Sequence, residues 1–133
     1  MRVVVHVDGG SRGNPGPAAV GVVISDGEGT VLDEAAQAIG PATNNVAEYR
    51  AVLLGAQRAK ALGATEVELV NDSQLVERQL RGEYKVKHAD MKPLFEQAQA
   101  ALAAFDRWSI RSVPREENAD ADALVNQALD AAA

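Results

Sequence analysis

Two apolar runs constrain this chain more than any other feature. Residues 2–7 (RVVVHV) and 66–71 (EVELVN) are short, rich in β-branched residues, and each is followed at once by an aspartate, Asp8 and Asp72. Runs of this length and composition read as buried strands. A helical stretch at about 44–62 lies between them, with Thr43 as its N-cap and Gly63 as its stop. Two strands joined through a helix pair in parallel with a right-handed crossover. In such sheets, sites form beyond the carboxyl ends of neighbouring parallel strands. Asp8 and Asp72 are both expected there.

The remaining segments fill in the order. Gly9 to Pro17 reads as a Gly/Asn/Pro loop, residues 18–25 as a second strand and about 30–37 as a third, joined as a hairpin by Asp26–Gly29. Gly40-Pro41 is expected to end that unit. A short helix over 73–80 stops near Gly82, and residues 83–89 form a lysine-containing loop. A helix over 91–105 takes Asp90 as its cap and tolerates Pro93 in its first turn. A last strand at 107–113, the loop PREEN (114–118) and a final helix at 119–131 complete the chain. The order βββαβααβα predicts an α/β fold: a mixed five-stranded sheet, three strands antiparallel and then parallel strands, with helices on both faces. The 133 residues fit one domain, 1–133.

Composition narrows the function classes. There is no cysteine, which removes disulfides and thiolate metal sites. No stretch approaches the ~20 apolar residues that span a bilayer, and the N-terminus lacks a signal-peptide pattern. A cytoplasmic monomer with no membrane partner is expected. Net charge is −6, with 19 acids against 13 bases, which does not by itself suit a polyanionic partner. Bound cations on a cluster of acids would reverse that sign locally.

Four segments carry chemistry. DGGSRGNPG (8–16) sets a carboxylate beside two glycines, which permit close backbone approach; neither a dinucleotide fingerprint nor a P-loop occurs. TNNVAE (43–48) places Glu48 early in the long helix. NDSQ (71–74) places Asp72 at a strand end. In REENADADALVN (115–126), Asn118 and Asp122 are four apart and share a helix face, while Asp120 points elsewhere. Taken singly, these are a glycine turn, a dipole-facing acid, a helix cap and a solvated acidic turn.

Taken together, in this order and spacing, they resemble the type 1 ribonuclease H family over roughly residues 2–130. The resemblance implies that Asp8, Glu48, Asp72 and Asp122 hold two Mg²⁺ ions, with Mn²⁺ as the alternative. It implies that the chain cuts the RNA strand of an RNA–DNA hybrid, leaving 5′-phosphate and 3′-hydroxyl ends. Hard cations of this kind prefer oxygen ligands, and a pair about 3.5–4 Å apart can activate water and stabilise both reacting oxygens. Gly9, Gly10, Ser11, Asn14, Asn44, Asn45 and Gln74 are the neutral groups suited to 2′-hydroxyls and minor-groove edges. Thr43 and Asn14 match positions that help hold a DNA phosphate.

The chain departs from the family pattern in three places. Ser112 stands where many members carry a histidine credited with water activation or product release, which leaves Arg115 and Glu116 as candidates by proximity. Val46 stands where some members place a base. Residues 81–90 replace a basic insertion, and over 77–92 five bases (Arg78, Arg81, Lys85, Lys87, Lys92) face three acids. His6 reads as structural and His88 lies in the lysine loop. Tyr84 is the one aromatic kept as a substrate candidate, Trp108 and Tyr49 reading as core. Two other functions compete: a non-catalytic nucleic-acid-binding module of the same fold, and a nuclease that also acts on double-stranded RNA.

Overall fold

The computed structural model describes residues 1–133. Strands β1 (Arg2–Ser11), β2 (Gly16–Ser25) and β3 (Val31–Ala42) lead into helix α1 (Asn44–Ala61) and strand β4 (Glu66–Asn71). Helices α2 (Gln74–Leu80) and α3 (Lys92–Ala103), strand β5 (Arg107–Ser112), a 3₁₀ turn (Arg115–Asn118) and helix α4 (Ala119–Ala132) follow. The strands form one sheet in the order β3-β2-β1-β4-β5. The first three strands pair antiparallel, and β1–β4 and β4–β5 pair parallel. No helix is long and apolar enough to cross a membrane.

Alternation along β1 sends Val3, Val5 and Val7 to one face, where they join the main core with Tyr49, Val52 and Ala56 of α1. On the other face Ala19 packs against Val125 and Leu129 of α4. Thr43 caps α1 by accepting from the Val46 N–H at 3.2 Å, and Gly63 takes the left-handed conformation (φ 84°) that stops it.

Several boundaries differ from the sequence expectation, each for a local reason. β1 does not end at Asp8. Gly9, Gly10 and Ser11 continue it by pairing with Val20, Ala19 and Ala18 of β2, and the Ser11 N–H is taken by the Asn44 side chain rather than by a strand. The parallel pairing with β4 stops at His6 and Val70, so Asp8 still lies just beyond it. β3 runs on through Gly40-Pro41 to Ala42. It is an edge strand, where a residue without an N–H is tolerated, and Gly40 (φ 77°) lies where the β2 register shifts. Asp90 does not cap α3, which starts at Lys92 behind Met91 with no side-chain cap. The PREEN loop winds into a 3₁₀ turn.

Two glycines determine how closely the helices approach this sheet. A Cβ on Gly9 would sit 2.2 Å from the Ala47 carbonyl carbon and oxygen, so α1 rests directly on β1 there. A Cβ on Gly21, which pairs with Asp8, would sit 2.4 Å from the Ala121 oxygen of α4. Both obstacles are backbone and cannot rotate away. Gly9→Ala and Gly21→Ala are each expected to lower the urea midpoint, by an amount equivalent to about 1–3 kcal/mol of overpacking, with the m-value unchanged. Wild-type midpoints would show that the helices can move off at little cost.

Candidate active site

Asp8, Glu48, Asp72 and Asp122 line one open cavity of about 510 Å³. Four different elements deliver them. Asp8 comes from β1, Glu48 from the second turn of α1, Asp72 from the residue after β4 and Asp122 from the first turn of α4. Glu48 reaches Asp8 because α1 sits against Gly9, and Asp122 approaches from the opposite face over Gly21.

The crowding is visible in the acidities. Asp8 is buried, and that burial, then the charges of Asp72, Asp122 and Glu48 and a hydrogen bond shared with Asp122, pushes its pKa up to about 8. Burial pushes Glu48 up to about 7 against a hydrogen bond with Ser73, and Asp72 adds to the rise. One carboxylate oxygen of Glu48 is buried without any partner. Burial also raises Asp72, opposed by the nearby Arg115 charge. Such a set of hard oxygen donors, one of them orphaned, suits a hard divalent cation. No three of these groups converge closely enough to form a ready cage.

A family model described as reverse transcriptase-like matches residues 6–128. The crystal structure of ribonuclease H1 from Halobacterium salinarum is 48% identical and superposes with a TM-score of 0.96, covering 98% of both chains. The chain belongs to the type 1 ribonuclease H family. The N-terminal ribonuclease H domain of a Mycobacterium tuberculosis protein, solved as a maltose-binding-protein fusion, is 52% identical with a TM-score of 0.96, covering 99% of this chain and 96% of that one. LC11 ribonuclease H1, solved in complex with an RNA/DNA hybrid, is 41% identical with a TM-score of 0.94, covering 98% of each. The chain spans 37% of the full mycobacterial protein, described as bifunctional, and 65% of the curated Halobacterium ribonuclease HI.

Not every residue that the ribonuclease H resemblance pointed to faces the cavity. Gly10, Ser11 and Asn44 line it together with Gly9, but the open side of Gly9 is filled by α1 rather than left for a phosphodiester. The Ser11 hydroxyl is spent inside its own loop, on the Gly13 and Gly16 carbonyls. The Asn44 side-chain oxygen accepts from the Ser11 N–H at 2.8 Å, and the Asn14 oxygen accepts from the Asn44 N–H at 3.1 Å. These contacts knit residues 11–16 to the start of α1 and leave the amide NH₂ groups of both asparagines to donate outward. Thr43, Asn45, Gln74 and Asn14 lie outside the cavity lining.

Asn118 is buried, and its amide donates to the Val7 carbonyl at 2.9 Å, which ties the start of α4 to the residue before Asp8. His6 lines a separate groove beside Asp120 and Glu116, and His88 is exposed. Tyr49 is core, with its hydroxyl donating to Gln79 at 2.6 Å, and Trp108 packs against the same core. Sequence reasoning missed Arg12 and Asn126, and held Arg115 only by proximity; all three line the cavity. Arg12 is paired with Asp130 at 2.6 Å and Arg115 with Asp122 at 3.2 Å. Nothing in spacing alone separates these bases from solvated ones.

A carboxyl whose folded pKa lies above its unfolded value keeps a proton that the unfolded chain has released. Folding stability therefore falls as pH rises through that window. For Asp8 the window runs from 3.8 to about 8. Metal-free protein is expected to lose melting temperature across it, and Asp8→Asn to flatten the profile and melt several degrees higher at pH 8. A variant profile parallel to wild type in thermal scans with chelator would contradict the crowding.

Proposed function

We propose that this chain is a divalent-metal-dependent endonuclease that hydrolyses the RNA strand of RNA–DNA hybrids. The observation that carries this reading is the convergence of four acids from four elements in one open cavity. Membership of the ribonuclease H family and the hybrid bound by a 41% identical relative support it.

Asp8, Glu48, Asp72 and Asp122 are the residues that would hold two Mg²⁺ ions, with Mn²⁺ as the alternative. When bound, the pair supplies a nucleophilic water and stabilises the departing 3′ oxygen, giving 5′-phosphate and 3′-hydroxyl products. Asp8 feels the charges of all three other acids and would be central to holding the ions. Arg115 is the base nearest this cluster, so its guanidinium is placed to meet the scissile phosphate once Asp122 is engaged elsewhere. The free amides of Asn44 and Asn14, with Asn45 and Gln74 outside the cavity lining, offer donors and acceptors to 2′-hydroxyls and base edges. Thr43 and Asn14 remain the candidates for a DNA phosphate.

Cleavage of labelled hybrid, double-stranded RNA and double-stranded DNA, with Mg²⁺ and with chelator, tests the reading. Hybrid alone should be cut, and only with metal. Loss of outer partners of metal ligands already costs about 10- to 100-fold, so Asp8→Asn and Asp72→Asn should each exceed a loss of about 100-fold while remaining folded. Equal cutting of double-stranded RNA, or either variant retaining a tenth of the rate, would sink the assignment.

The basic segment contributes little to binding. Of its five bases, Arg78 donates to the Tyr84 hydroxyl at 2.7 Å and stacks on that ring, and Arg81 donates to the Ile110 carbonyl. Lys85, Lys87 and Lys92 remain for phosphates. Binding to a hybrid with Ca²⁺ in place of Mg²⁺ should weaken with salt at a slope of about 3 or less in log–log form. A slope of about 6 would reveal a larger phosphate footprint.

A further inference from the structure

We infer that Glu77 is a positioning residue that clamps the end of β5 so that Arg115 reaches the acid cavity; the inference rests on the nuclease reading above. Glu77 lies on α2, the short helix that begins just after Asp72, and its side chain is only 12% exposed. One carboxylate oxygen accepts from the Ser112 N–H at 3.0 Å and the other from the Ser112 hydroxyl at 3.0 Å. One turn later Arg81 approaches Glu77 at 3.4 Å and donates to the Ile110 carbonyl at 2.7 Å. Glu77 of α2 and its C-cap Arg81 thus grip the last residues of an edge strand, which would otherwise fray.

The grip matters because of what leaves β5. The connection runs from Val113, whose N–H donates to the Asn71 carbonyl at 2.8 Å, to Asn118, anchored on Val7. Arg115 lies between these anchors. Its side chain is 74% exposed, and its one ion pair is with Asp122 at 3.2 Å. Nothing packs around the guanidinium to hold it, so the backbone that carries it decides where it can reach. Glu77 supplies charge-assisted bonds at one end of that backbone. The serine at 112 is part of the device. Its hydroxyl is turned into α2, and the residue is absent from the cavity lining. Position 112 is thus a structural anchor, and the cation beside the acids comes from Arg115.

Steady-state cleavage of a short hybrid in saturating Mg²⁺ is the test, on wild type, Glu77→Ala, Arg115→Ala and the double variant, each verified as folded at the assay temperature. Failure of wild type to cut hybrid would refute the nuclease reading before any variant is compared. Arg115→Ala should lower kcat about tenfold. Glu77→Ala should lower kcat about five- to tenfold with KM within about twofold, yet change kcat by less than about twofold in the Arg115→Ala background, since residues acting through one another are not additive. Glu77→Gln, which keeps an oxygen for the Ser112 N–H, should recover most of the rate. A Glu77→Ala loss of the same factor in both backgrounds would reduce Glu77 to a stabilising contact and overturn the inference. So would wild-type kcat in either single variant. Should Glu77→Ala fail to fold, Glu77→Gln and Ser112→Ala pass through the same cycle, and additive losses there overturn it equally.

Discussion

The close approach of two helices to neighbouring strands is the constraint on which the site depends. α1 meets β1 at Gly9 and α4 meets β2 at Gly21, on opposite faces of the sheet and one residue pair apart. Any side chain at either point would meet backbone. Because the contacts bracket Asp8, an acid on each helix comes into reach of it. Glu48 is one residue beyond Ala47 in α1, and Asp122 is one beyond Ala121 in α4. The carboxylates thus cluster as a consequence of packing the core, and the hydrophobic burial of Val5, Val7, Val52 and Val125 overcomes their mutual repulsion.

That repulsion is left in the metal-free protein as a reservoir. Asp8 and Glu48 hold their protons far above the ordinary carboxyl range, and an oxygen of Glu48 is buried with no partner. Arg115 neutralises part of the charge at Asp122 from an exposed position, where a pair contributes ~1 kcal/mol or less. A contact that weak would give way readily to the divalent cation or the phosphate of the proposed reaction. The site therefore combines acids set on or beside regular elements with a loosely held base, Arg115, on a tethered turn.

The charge of the whole molecule follows the same division. The formal charge of −6 includes the four clustered acids. Away from them, Arg58 pairs with Asp33 through two bonds of 2.7 and 2.8 Å, and Arg2 and Arg111 share Glu68. These exposed pairs absorb bases that net-charge arithmetic leaves available to a polyanion.

The element order, the caps at Thr43 and Gly63, and the strand-end placement of Asp72 were legible because each depends on residues within a few positions of one another. The four acids were legible as a set because their segments resemble one family in order and spacing. Other features were not. Whether Gly9–Ser11 is loop or strand depends on pairing with Ala18–Val20, and whether Gly40-Pro41 breaks a strand depends on its lying at the sheet edge. The roles of Gly21, Glu77 and Ser112 depend on partners 100, 35 and 35 residues away, Ala121, Ser112 and Glu77 respectively. By itself the sequence determined the periodicity and the turns, since those are local chemistry, and the resemblance singled out the four acids that the fold brings to one cavity. Only the tertiary structure decided which polar groups are spent on one another and which still face the cavity, because that depends on contacts made only when distant segments pack together.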